Sequence, residues 1–229
     1  MTGEHDRLAV AVAAGLPRVR DRISAAGGDP ERIRIVAVTK GFGADAPRAA
    51  LAAGLADLGE NYADELAGKA ALLADEGLAP RWHFLGAVQR RKVRRIAPFV
   101  SQWEGIARAV EGSEIARFSP GASVLVEVET TGLPGRGGVA PAAVRELCAE
   151  LTDSGVRVEG LMTVAPPGAG AAALRAFEIV SSLADELGLD ERSMGMSGDL
   201  EEAVRAGTTA IRVGEALFGP RPAQPKLAQ

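Results

Sequence analysis

A chain of 229 residues holds one large domain or two small ones, and with aromatics at only 4% its core must be built from alanine, valine, leucine and glycine. A net charge of −4 with both signs interspersed argues against a general nucleic-acid binder, which carries a basic surplus. The single cysteine, Cys148, rules out a disulfide framework within the chain and argues against a cysteine metal site, so it reads as a small buried hydrophobe. No apolar segment has bilayer-spanning length, so the chain reads as a soluble cytoplasmic protein with no membrane partner.

A first amphipathic helix is expected over about 6–26, followed by a strand "RIVAVT", Arg34 to Thr39, that ends in Lys40. The helix "DAPRAALAAGL" precedes a short strand from Ala56 to Gly59, and "YADELAGKAALLADEG" precedes a third from Arg81 to Ala87. The helical "QRRKVRRIA" leads into Phe99 to Gly105, and another helix leads into Ser123 to Glu129, the clearest strand of the chain. In the second half, "PAAVRELCAELTDSG" is a helix closed by Gly155, and Val156 to Val164 is a strand. The helix "GAAALRAFEIVSSLADELG" precedes "RSMGMSGD", then "LEEAVRAG", then the strand in "TAIRVGEALFG". No linker or low-complexity tract interrupts them.

Eight strands, each followed by helix or turn, point to one (β/α)8 barrel of TIM type, spanning about 33–220 with the N-terminal helix added and a short C-terminal tail. An open doubly wound sheet would carry a Gly-rich fingerprint after its first strand, and "KGFGAD" lacks the third glycine. The whole chain, 1–229, is read as a single domain and as a monomer.

In such a barrel the chemistry lies at the C-terminal strand ends. There the sequence places Lys40, Asn61, His83, Ser197, Arg212 and Gly214. Several have structural readings. His83, between Trp82 and Phe84, reads as a hydrogen-bonded core histidine; Asn61 reads as a helix cap; Ser197 and Asp199 read as caps of "LEEAVRAG", with Glu202 completing a capping box from Asp199. Lys40 and Arg212 are harder to dismiss. A lysine at a dry barrel rim binds an anion or condenses with a carbonyl, and an arginine in an apolar strand needs an ion partner or planar acceptor. Ser197 and Gly198 deliver backbone N–H groups to a helix start, and Gly214 does so after strand eight, where barrels frequently bind phosphate. Lysine, phosphate cradle and intervening arginine suit pyridoxal 5′-phosphate, a cofactor that composition alone does not name.

The segments "AVTKG", "GENYADEL", "WHFLGAVQRRKV", "GLMTV", "SMGMSGDLEEAV" and "IRVGEALFG" resemble, in order, the motifs of the pyridoxal-phosphate homeostasis proteins, from about Ile35 to Pro220. The resemblance implies a single (β/α)8 barrel similar to the N-terminal domain of alanine racemase. It also implies that Lys40 forms the internal aldimine, Asn61 lines the ring, Ser197 with the N–H groups of Gly198, Gly214 and Glu215 holds the phosphate, and Arg212 faces the pyridine nitrogen. Three departures stand out. Glu215 replaces a family Thr or Ser; Ala87 and Arg91 replace His and Asn, while Gln89 and Lys92 are kept; and Arg136 in "GLPGRGGV" takes the place of a family lysine.

An arginine at the pyridine nitrogen leaves that nitrogen neutral and the ring a weak electron sink. The racemases of this barrel type draw a second acid/base tyrosine from an added β domain. This chain leaves no length for one and has a single tyrosine, Tyr62. The expectation is therefore a carrier that holds the cofactor and passes it to apo-enzymes, with no catalytic or metal-binding residues. The alternatives are a weak pyridoxal-phosphate-dependent amino-acid racemase or lyase, and a barrel aldolase, which is disfavoured because no carboxylate or tyrosine is evident beside Lys40. The basic cluster Gln89 to Arg95 reads as a solvated helix face, with a docking surface for an acidic partner or for a second phosphate ligand as the alternative.

Overall fold

The computed structural model describes residues 2–168 and 170–222. Its strands are β1 (Arg34–Val38), β2 (Asp57–Glu60), β3 (Arg81–Phe84), β4 (Val100–Ile106), β5 (Ser123–Glu127), β6 (Arg157–Met162), β7 (Glu191–Ser193) and β8 (Ala210–Val213). The helices are α1 (Thr2–Ala25), α2 (Asp45–Ala52), α3 (Ala63–Asp75), α4 (Arg90–Ile96), α5 (Ala109–Phe118), α6 (Val144–Asp153), α7 (Ala171–Leu187), α8 (Leu200–Arg205) and α9 (Glu215–Phe218). The strands pair in parallel in chain order. Pairing of Arg34 with Ala210, Ile35 with Ile211, Val36 with Arg212 and Ala37 with Val213 closes the barrel. The expected fold class is present, with α1 where the extra helix was expected. The expected C-terminal tail falls, from residue 223 on, outside the described residues.

The pleat divides each strand between two environments. In β5, Val124 and Val126 join the apolar cluster shared with the helices, and the alternate positions Leu125 and Glu127 turn toward the barrel axis. Among the described residues no helix is long and apolar enough to cross a membrane.

Two strand ends build the mouth of the barrel. β3 stops at Phe84 rather than Ala87, because the chain at Gly86 passes against the backbone of Asn61. A Cβ there would lie 2.0 Å from Asn61 O, a separation only glycine allows. β7 stops at Ser193, which frees "MGMSGD" to form a loop at the mouth.

The added helix supports that loop. Gly15 of α1 lies so close to α9 that a Cβ would stand 2.4 Å from Ala216 O. Arg22 donates to Ser197 O at 3.0 Å and grips the Glu201 carboxylate through Nε and Nη2 at 2.6 and 2.7 Å. The α1 helix is thus a brace behind the loop that carries Ser197.

Candidate functional site

A cavity of about 820 Å³ opens at the C-terminal ends of the strands. Lys40, Asn61, Ser197, Gly198, Arg212, Gly214 and Glu215 all border it, so the fold brings together every residue singled out in the sequence as cofactor-binding. Apolar walls come from Val38, Phe42, Leu85, Met162 and Met196.

Lys40 lies two residues beyond β1 and is half-buried. Burial is the largest influence on its amine and pulls the pKa below the ordinary lysine value. Arg221 and then Arg212 push the same way, while Glu60 opposes them. The amine is therefore more readily neutral, the form in which lysine is a nucleophile.

Beneath it is a buried polar floor. Glu60 accepts from Thr39 Oγ1 at 2.7 Å and from Lys69 Nζ, and Lys69 Nζ also donates to Thr39 O at 2.9 Å. Glu65 joins the floor by accepting from Gly41 N at 2.9 Å. Burial raises the Glu60 pKa against the pull of Lys69, and its Oε2 has no hydrogen-bond partner among the described residues. The sequence reading saw no carboxylate beside Lys40. The structure supplies one, but Glu60 is committed to Lys69 and Thr39.

Arg212 is 5% exposed and is fixed from behind. Its Nη1 donates to Ser193 O at 2.6 Å and Ser193 Oγ at 2.8 Å, and its Nη2 donates to Thr163 O at 2.8 Å. The nearest carboxylate, that of Glu104, lies 4.0 Å from Nη1. The acceptors required by an arginine in an apolar strand are thus the carbonyl and hydroxyl of Ser193 at the end of β7 and the carbonyl of Thr163 just beyond β6.

At the opposite rim, Ser197 Oγ accepts from Ala216 N at 3.3 Å, which sets the hydroxyl over the start of α9. The expected capping box does not form. Asp199 is the N-cap of α8 without a side-chain cap bond, and its carboxylate accepts instead from Met196 N at 2.6 Å to tighten the turn that carries Ser197. Glu202 accepts from Gly170 N at 2.8 Å, tying α8 to the start of α7. Asn61 is likewise not a cap. Tyr62 holds that position, and Asn61 Oδ1 is buried at the edge of the cavity without a donor among the described residues. Glu215 borders the cavity with its side chain exposed to solvent.

His83 is the core histidine expected, held between two carboxylates: Nδ1 lies 2.8 Å from Glu104 Oε1 and Nε2 lies 3.0 Å from Asp57 Oδ1. The basic cluster forms an exposed face of α4, with Lys92 and Arg95 bonded to Asp64 at 2.7 and 2.6 Å. Arg136 donates to Ala165 O at 2.9 Å, which pins its loop beside the cavity. Sequence reasoning missed Arg22, Lys69, Glu104 and Arg221. Only Arg221, between Pro220 and Pro222 just after the last helix, left a local signal. An amine shifted toward its neutral form, with arginines bordering the same 820 Å³ cavity, suits capture of an aldehyde that carries an anionic group.

A family model described as alanine racemase, N-terminal domain, matches residues 18–222. A pyridoxal phosphate homeostasis protein from Pseudomonas aeruginosa is 38% identical over 222 residues, covering 92% of this chain and 94% of its own. PipY of Synechococcus elongatus is similar in its structure without PLP (TM-score 0.76, 31% identity) and with PLP bound (TM-score 0.73, 30% identity). Each alignment covers 88% of this chain and 100% of that one.

Proposed function

The chain belongs to the alanine racemase N-terminal domain family and, within it, to the pyridoxal phosphate homeostasis proteins, and from that premise we propose that it binds pyridoxal 5′-phosphate through Lys40 and serves vitamin B6 and amino-acid homeostasis without catalytic turnover. The observation that carries this reading is Lys40 itself, a half-buried amine held toward its neutral form at the edge of a cavity of cofactor size. When bound, the cofactor supplies an aldehyde carbon to which a neutral amine can become covalently linked.

The residues present fit that group. Asn61 Oδ1 offers a buried acceptor still lacking a donor, and Arg212 presents a permanent positive charge. At the phosphate end, the Ser197 hydroxyl is set over α9, whose first N–H groups have no intrahelical acceptor. Ser197, Gly198, Gly214 and the backbone of Glu215 would hold the phosphate, and Asn61 would line the ring.

Restraint from turnover follows from the same chemistry. The Arg212 guanidinium does not release its proton, so it gives a neighbouring ring nitrogen no acid to share. Glu60, a carboxylate whose charge acts on Lys40, is already held by Lys69 and Thr39. The protein acts as a single barrel that accepts the cofactor and yields it to apo-enzymes in the cytoplasm.

Purified protein given pyridoxal 5′-phosphate is expected to develop the absorption band of a lysine-linked cofactor, and Lys40→Ala to lose it with far-UV circular dichroism unchanged. The loaded protein is expected to reactivate an apo-enzyme while leaving amino acids unconverted. Steady conversion of an amino acid would replace the carrier with an enzyme, and a protein that takes up no cofactor would sink both.

A further inference from the structure

Glu104 and His83 lie inside the barrel, away from the cavity wall, yet a continuous series of contacts joins them to it. Arg81, its side chain 61% exposed at the start of β3, donates to both oxygens of Asp57 at 2.8 and 2.6 Å. His83 Nε2 meets Asp57 Oδ1 at 3.0 Å, and His83 Nδ1 meets Glu104 Oε1 at 2.8 Å. Ser193 Oγ donates to Glu104 Oε2 at 2.6 Å, and Arg212 Nη1 donates to the same hydroxyl at 2.8 Å. The row runs from solvent at the bottom of the barrel to the cavity at its top.

Its charges alternate. Both ring nitrogens of His83 face carboxylates, so the imidazole is a double donor and a cation. In sequence the row reads arginine, aspartate, histidinium, glutamate, arginine. We infer that Glu104 and His83 are positioning residues for the cofactor pocket, completing a buried row of alternating charge that orients Arg212 and sets the field it projects toward Lys40. This rests on the proposed use of Lys40, and it names what tunes that lysine.

The remaining charges around each member are few. Arg212 also feels Glu127 and Asp199. Lys40 feels Arg212, Arg221 and Glu60, the last with its partner Lys69. Glu104 is 1% exposed and, among the described residues, its polar and charged influences are His83, Arg212 and Ser193. Removing its charge leaves Arg212 less compensated and strengthens the positive field at Lys40. Removing the His83 charge leaves Glu104 less compensated and does the reverse. Opposite signs from two adjacent buried substitutions are the signature of a charge row, which packing damage would not reproduce.

The test is the pH profile of Lys40 labelling. Full-length wild type, Glu104→Gln and His83→Gln are mixed with pyridoxal 5′-phosphate, reduced with borohydride, and the peptide carrying Lys40 is quantified by mass spectrometry, normalised to each protein's plateau. The midpoint is expected to fall by about one pH unit in Glu104→Gln, so that at a fixed pH below it about tenfold more amine is reactive. It is expected to rise, by less, in His83→Gln, which decides the question alone if the first variant does not fold. Unchanged midpoints, or shifts in one common direction, overturn the charge row. An absence of Lys40 label in wild type overturns the cofactor reading instead.

Discussion

Along the barrel axis, Asp57, His83, Glu104 and Arg212 are each matched to a charged or hydroxyl neighbour, whereas at the mouth Lys40 lies half-buried among arginines and Asn61 Oδ1 is buried with no donor. The axis is a region of settled charges, and its conformation is over-determined. The mouth is under-satisfied, and a ligand can complete it. Burial cost is the same physics in both places. It is met internally in one and left open in the other, and the chemistry follows the opening.

The largest effect comes from breaking the settled floor beneath Lys40. Lys69→Met leaves Glu60 buried without its cation, and stability by urea denaturation is expected to fall by about 3–5 kcal/mol. Retention of full stability would mean that Glu60 is not charged in the fold.

Next is the axis. Its hydrogen bonds and charges from Asp57 and Glu104 outweigh burial and raise the His83 pKa from 6.5 to about 9. A raised folded pKa contributes stability that is complete below the unfolded value and lost as pH climbs through the folded one. Stability should therefore decline by roughly 2–3 kcal/mol between about pH 6.5 and 9. In His83→Gln that slope should disappear, as followed by chemical denaturation across the same range.

At the mouth, effects on stability should be slight and effects on uptake visible. Arg221→Gln removes a cation that holds the Lys40 pKa down, so cofactor linkage at neutral pH should slow roughly two- to threefold by stopped-flow absorbance, with an unchanged melting temperature. An effect of similar size and opposite direction is expected for Glu215→Thr. Replacing an exposed carboxylate at the phosphate end should tighten cofactor binding roughly two- to fivefold by equilibrium titration. Weaker binding would show that Glu215 takes part in holding the cofactor.

The barrel was legible because strand periodicity and helix length are local properties. "SVLVEVE" and "RIVAVT" announce themselves within a few residues, and their ends mark the mouth. Lys40 and Arg212 were legible as charges where an apolar run should continue. Arg22 was not, because its value lies in reaching Ser197, 175 residues away, and nothing around it differs from any helical arginine. Glu104 and Lys69 were hidden for the same reason, since a charge in a strand or helix reveals its burial only once the barrel has closed around it. The failed capping box of Asp199 and Glu202 shows the converse: the local motif was present, but Met196 N, three residues upstream, captured the Asp199 carboxylate and the distant Gly170 N captured that of Glu202.

The chain has four lysines, Lys40, Lys69, Lys92 and Lys226, so the central claim reduces to which of them takes the cofactor. Borohydride reduction of protein loaded with stoichiometric pyridoxal 5′-phosphate, followed by peptide mass mapping, reads this directly. The account predicts the reduced adduct on the Lys40 peptide alone. An adduct chiefly on another lysine, or none at all, would contradict it.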